Sequence, residues 1–198
     1  MSRLSSDAAV RRRFKRLLQT LLIAAVTAFI GYVSQLHQGI PAAQQLQTPA
    51  GSYQVVDTAD GDTIYVSMDG IKEKVRLVGV DTPETHHPTK PVQCYGKEAS
   101  AYTASLVKNK AVTLRSDTKQ PNRDKYGRLL RYVYLQDGRE LNELLVTGGY
   151  AFVTNFSTEK KAALQQLQAV AKANRIGLWG ACTVITNGPY LQTNNVAQ

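Results

Sequence analysis

The sequence predicts an α+β domain: a small closed five-stranded Greek-key β-barrel with three α-helices, preceded by an N-terminal hydrophobic helix. Three observations predict it. Five short segments alternate apolar and polar residues and are rich in Val, Ile and Tyr, as half-buried strands are. Three longer segments carry their apolar residues at helical spacing. One uncharged run stands apart from both, directly behind a basic cluster.

Ser52–Thr58 and Thr63–Met68 read as strands, and Asp69-Gly70 is a hairpin signal leading into a third, Lys72–Val80. Gly96–Asn109 has the apolar spacing of a helix. Ala111–Ser116 reads as a short strand, and a polar loop containing Pro121 leads to the fifth, Arg128–Leu135. Asp137-Gly138 turns into a helix over Glu140–Gly148, where Leu141, Leu144 and Leu145 share a face and Gly148-Gly149 ends it. Thr158–Asn174 is the clearest helix, with Leu164, Leu167, Val170 and Ala171 as its stripe. Five short strands with intervening helices suit a closed barrel of the oligonucleotide-binding type.

Leu17 to Val33 is 17 residues without a charge, directly after the basic cluster Arg11–Arg16. It sits at the lower end of the roughly 17–25 residues that span a bilayer. A cleaved signal's apolar region is shorter, about 7–15 residues. The nearest small-residue candidates for cleavage, Ile40-Pro41-Ala42 and Ala42-Ala43-Gln44, are poor. A retained signal anchor is favoured over a cleaved signal peptide. Residues 1–16 are then cytoplasmic, 17–33 cross the membrane, and 34–51, rich in Gln, Ala and Pro, form a linker. The folded domain covers 52–180, and 181–198 is a C-terminal tail. The expected location is the cell membrane, single-pass with the domain extracytoplasmic, or the exterior if the segment is cleaved. A monomer is expected.

With 43% hydrophobic residues the chain can build a core, which excludes global disorder. The formal charge is +9, but residues 1–35 carry six Lys/Arg against one Asp, leaving 18 Lys/Arg against 14 Asp/Glu elsewhere. The folded part is mildly basic, which favours a polyanionic partner such as nucleic acid. Cys94 and Cys182 are the two cysteines. An even count in an exported domain suggests one disulfide between them; two unrelated thiols are the alternative.

Chemistry concentrates in Arg76-Leu-Val-Gly-Val-Asp81-Thr82-Pro-Glu84, where an apolar run brings an arginine, two carboxylates and a proline-fixed turn together. Unpaired ions at the ends of a buried strand are costly, so this pattern points to a site. Asp60-Gly61-Asp62-Thr63 and Asp124-Lys125-Tyr126-Gly127-Arg128 complete it. Calcium takes about 6–8 oxygen ligands, and Asp62 and Asp81, each at a strand end, are the natural carboxylate pair. Arg76 and Arg128 suit phosphate because a guanidinium donates two parallel hydrogen bonds and stays charged. Glu84 is placed to accept a proton from an attacking water or to position it. His86 and His87 rank below it because they lie in a proline-bounded loop. Lys125 and Tyr126 suit a terminal phosphate and a stacked base. Asp60-Gly61-Asp62 alone reads as a tight turn, and the other segments read equally as a turn, a helix cap or a surface ion pair. Their joint occurrence points to a calcium-dependent phosphodiesterase.

With these residues in place, the chain resembles the staphylococcal nuclease (thermonuclease) family over about Ser52 to Trp179. The likeness rests on VVDTADGDTIYV, EKVRLVGVDTPETHHP, CYGKEAS, DKYGRLLRYVY, LNELLVTGGYA and NRIGLW. It implies an oligonucleotide-binding barrel with three helices. It also implies calcium-dependent cleavage of DNA and RNA at the 5′-oxygen–phosphorus bond, leaving 3′-phosphate ends. By position, Asp62 and Asp81 match the calcium carboxylates and Thr82 a main-chain carbonyl ligand. Arg76 and Arg128 match the phosphate-binding arginines, and Glu84 the proposed general base. Lys125 and Tyr126 match substrate contacts, and Asp117 an acidic residue near the metal. The family's base-stacking tyrosine falls near Asn155, which leaves Phe152, Phe156 or Tyr150 to take its place. The competing readings are a non-catalytic nucleic-acid-binding barrel and a surface module with purely structural calcium.

Overall fold

The computed structural model describes residues 51–85 and 91–195. The basic segment, the 17–33 run, nearly all of the 34–51 linker, and His86 and His87 lie outside the described residues.

Five strands form a closed barrel: β1 (Ser52–Thr58), β2 (Thr63–Met68), β3 (Ile71–Leu77), β5 (Ala111–Arg115) and β6 (Leu129–Tyr134). The order around the barrel is β1-β2-β3-β6-β5, and β5 pairs back onto β1. Only the β3–β6 pairing is parallel. Alternation places Val55, Ile64, Val66, Val75, Leu77, Val112, Leu129 and Val133 in one buried core. Helix α1 (Gly96–Val107) packs against β1, whereas α2 (Leu141–Thr147) and α3 (Lys161–Ala173) pack on each other. Leu141, Leu145 and Leu164 are fully buried there. The predicted architecture of a five-stranded barrel with three helices is the observed one.

The third strand differs from its sequence reading. Lys72–Val80 was expected as one element, but β3 stops at Leu77, and β4 (Val80–Asp81) leaves the barrel to pair with β7 (Phe152–Val153). Gly79 breaks the strand, with φ +79, a conformation side chains disfavour. A Cβ there would also stand 3.0 Å from Leu164 Cδ1. The break is what aims Asp81 away from the barrel interior.

Beyond a short helix α4 (Leu178–Ala181), the segment expected as a tail forms an antiparallel hairpin, β8 (Val184–Asn187) and β9 (Tyr190–Thr193). It is fixed to the segment before α1. Cys94 and Cys182 are disulfide-bonded, Cys94 N donates to Asn194 O at 2.8 Å, and Thr193 Oγ1 donates to Cys94 O at 2.7 Å. The cross-link closes a sequence separation of 88 residues, and in the chain-entropy account long loops gain most. Replacing both cysteines by alanine is expected to lower stability by about 2–5 kcal/mol. Urea unfolding of the full chain and the variant checks it, and overlapping curves would refute it.

Candidate active site

Asp62 immediately precedes β2, and its carboxylate is committed on both oxygens. Oδ1 accepts from Thr63 Oγ1 at 2.9 Å, and Oδ2 accepts from Thr82 N at 2.9 Å. The second bond ties the start of β2 to the segment after β4, across twenty positions of sequence. From below, Thr103 Oγ1 of α1 donates to Gly61 O at 2.6 Å.

Arg76 is the hub. Its Nη1 donates to Leu77 O at 2.7 Å and Val80 O at 2.6 Å, spanning the break after β3. Its Nη2 lies 2.6 Å from Asp81 Oδ1 and 3.0 Å from Asp62 Oδ2. One guanidinium therefore shapes the turn and gathers both aspartates.

Glu84 is held by its backbone. Glu84 N donates to Gln93 Oε1 at 2.8 Å, and Gln93 N donates to Glu84 O at 2.9 Å. Gly96 lies beneath this loop, where a Cβ would meet Glu84 O at 2.9 Å and Pro83 O at 3.0 Å. On the other side, Arg128 Nε donates to Asp124 Oδ2 at 2.6 Å, so the bond orients the guanidinium without using its terminal nitrogens. The ring of Tyr126 lies 5.4 Å from the Arg128 guanidinium carbon and 5.0 Å from Lys125 Nζ. Asp60, Asp62, Arg76, Asp81, Thr82, Glu84 and Arg128 line one cleft of about 170 Å³.

Four carboxylates against two guanidiniums leave this cleft short of positive charge, and the proton affinities show it. Burial, then repulsion from Asp62, pushes the Asp60 carboxyl up to about 7. Asp81 is pushed up to about 6, by burial first and by Asp62 and Glu84, against the pull of Arg76. Burial disfavours charge on Arg76, but Asp62, Asp81 and Asp60 outweigh it and hold the guanidinium protonated.

The donor set is oxygen only, which fits a hard cation such as calcium. Among the described residues, no three His, Cys, Asp or Glu side chains are gathered closely enough to hold an ion alone. Arg76 Nη2 already stands between Asp62 and Asp81. A cation here would share those carboxylates with Arg76 and take main-chain oxygen and water besides.

The shifts have a sign that can be tested. A carboxyl raised by folding contributes stability that is complete below its unfolded value of 3.8 and is lost as pH rises through about 6 for Asp81 and about 7 for Asp60. Asp117 and Asp124 are shifted down, so they act only below that window. Chelated protein is therefore expected to melt higher at about pH 5 than at about pH 8. Calcium-free melts across that range check it, and a flat or opposite trend would contradict the crowding of charge.

Some expected residues lie elsewhere. Asp117 accepts from Tyr132 Oη at 2.5 Å, Lys119 N at 2.7 Å and Glu159 N at 2.8 Å, which gives it a structural duty outside the cleft. Phe152 is buried edge-on to Trp179 and is closed to a base, whereas Tyr150 is half-buried, with one ring face stacked on Tyr102 at 4.2 Å. Phe156 is exposed. Two residues were not singled out from sequence: Asp60, whose signal was its place two before Asp62, and Asp124, whose signal was its place four before Arg128.

Comparison with known proteins agrees with this architecture. The family described as Staphylococcal nuclease homologue matches residues 74–181. The thermonuclease of Staphylococcus intermedius is 42% identical over 130 residues, covering 65% of this chain and 76% of that protein. The thermonuclease of Staphylococcus hyicus is 40% identical over 133 residues, covering 65% and 75%. Endonuclease YncB of Bacillus subtilis is 40% identical over 131 residues, covering 65% of this chain and 61% of that protein.

Proposed function

The chain belongs to the staphylococcal nuclease family, and from that footing we propose that it is a calcium-dependent nuclease hydrolysing phosphodiester bonds of DNA and RNA. The observation that carries the proposal is the single cleft shared by Asp60, Asp62, Asp81, Glu84, Arg76 and Arg128.

In the proposed reaction Glu84 takes a proton from water as the water oxygen adds to phosphorus. The bond to the 5′-oxygen breaks, that oxygen takes a proton from solvent, and a 3′-phosphate end remains. Negative charge grows on the non-bridging oxygens as phosphorus becomes five-coordinate. Arg128 meets that charge with the terminal nitrogens that Asp124 leaves unused. Arg76 adds a second positive charge from beneath, fixed by its contacts to Asp62 and Asp81. Asp62, Asp81 and the Thr82 main-chain carbonyl would hold calcium, with Asp60 beside them. When bound, calcium supplies further neutralisation of the phosphate. Lys125 and Tyr126, at the rim, would contact a terminal phosphate and a base.

The proposal includes export. The bond between Cys94 and Cys182 suits an oxidising compartment, and the basic-apolar order of residues 1–33 suits a membrane anchor or signal. The full chain in detergent should degrade DNA and RNA with calcium, stop on chelation, and leave ends that require a phosphatase before polymerase extension. Salt-sensitive binding with intact substrate in calcium would instead establish a binding module.

A further inference from the structure

The β8–β9 hairpin lies beyond residue 181, where the family match ends. Its base is fixed by the disulfide and by the bonds between Cys94 and Thr193–Asn194. Its tip is fixed separately: Asn155 Nδ2, in the loop after β7, donates to Pro189 O. Held at both ends, the hairpin sets Tyr190 into a cleft of about 510 Å³ whose lining includes Tyr126, Phe156 and Leu130. Arg76 and Arg128, which bound the carboxylate cleft, also line this one. The two clefts therefore meet at the arginines.

Tyr126, Phe156 and Tyr190 remain 70%, 56% and 49% exposed. Three open aromatic side chains around one cleft are not explained by packing. A cleft with aromatic walls and guanidiniums in its lining matches an unpaired base attached to a bound phosphate, because any base offers a π-face. A base inside a duplex cannot enter such a cleft without leaving the stack.

We infer that the C-terminal hairpin is a substrate-binding element, with Tyr190 forming a wall of the subsite for the base next to the scissile phosphate. The inference rests on the nuclease reading and extends it.

The test is fluorescence anisotropy of the full chain with a labelled single-stranded oligonucleotide, in chelator and at fixed salt. Tyr190→Ala is expected to weaken binding roughly tenfold, the size of one lost stacked base. Tyr190→Phe should bind as the parent does. Tyr190→Leu, which keeps apolar bulk without a ring, should bind like Tyr190→Ala. An abasic sugar-phosphate strand of equal length should bind parent and Tyr190→Ala alike. Equal affinity of parent and Tyr190→Ala for the normal strand, or full binding by Tyr190→Leu, overturns the hairpin inference. Those results would leave calcium-dependent digestion untouched. Absence of digestion with base-dependent binding intact would instead count against the nuclease reading alone.

Discussion

Glu84→Gln is expected to lower kcat by roughly 10²–10⁴-fold, the usual contribution of a positioned proton acceptor, while the protein melts at or slightly above the parent temperature. The fold should survive because the main chain of residue 84 keeps both of its bonds to Gln93. The bond its side chain accepts from Thr85 N, at 3.0 Å, can be kept by the amide oxygen. The substitution also removes one of four negative charges from the cleft and so relieves the pressure that Glu84 puts on Asp81. A glutamine cannot take up the water's proton, so kcat and kcat/KM should fall together with KM little changed. Steady-state kinetics on an oligonucleotide, alongside thermal melts, separates the two effects. A kcat within threefold of the parent would move the proton acceptor elsewhere.

The carboxylates and arginines were legible in sequence because each sits at a strand end or a turn, where charge is unexpected beside an apolar run. Their convergence was less so. It depends on the Asp62–Thr82 bond and on the parallel β3–β6 closure, and neither leaves a local trace. The break after Leu77 was hidden because Leu-Val-Gly-Val reads as continuous strand until Arg76 takes the carbonyls of Leu77 and Val80. Phe152 and Tyr150 were plausible base platforms on position alone. Burial against Trp179 is a long-range fact that removes Phe152, and stacking on Tyr102 occupies one face of Tyr150. The hairpin did carry a local signal, Asn187-Gly188 between alternating segments. What fixes it, however, is a disulfide to a residue 88 positions away, and short strands without such a partner do not hold.

Arg76→Met should reveal how far stability and catalysis share one residue. Methionine keeps comparable apolar bulk but abandons two carbonyls and two carboxylates at once. Removing one partner from a buried ionic cluster costs about 3–5 kcal/mol, since the remaining charges stay desolvated and unpaired. In chelator the variant is expected to lose stability at about pH 8, by less than that figure because the Asp81 side chain is 44% exposed to screening solvent. The loss should shrink toward about pH 5 as the crowded carboxyls, already raised to about 6 and about 7, take up protons. Calcium should restore part of it, because an ion bound only by the folded state stabilises by mass action. Activity should not return with stability, since a cation among the aspartates does not replace a guanidinium at the phosphate. Arg76→Lys tests the geometry: one ammonium retains the charge but cannot serve all four oxygens, so its stability should lie between parent and methionine variant. Urea unfolding across pH with and without calcium reads the first effect and single-turnover cleavage the second. A methionine variant as stable as the parent in chelator at high pH would show that the four contacts do not bind the cluster together.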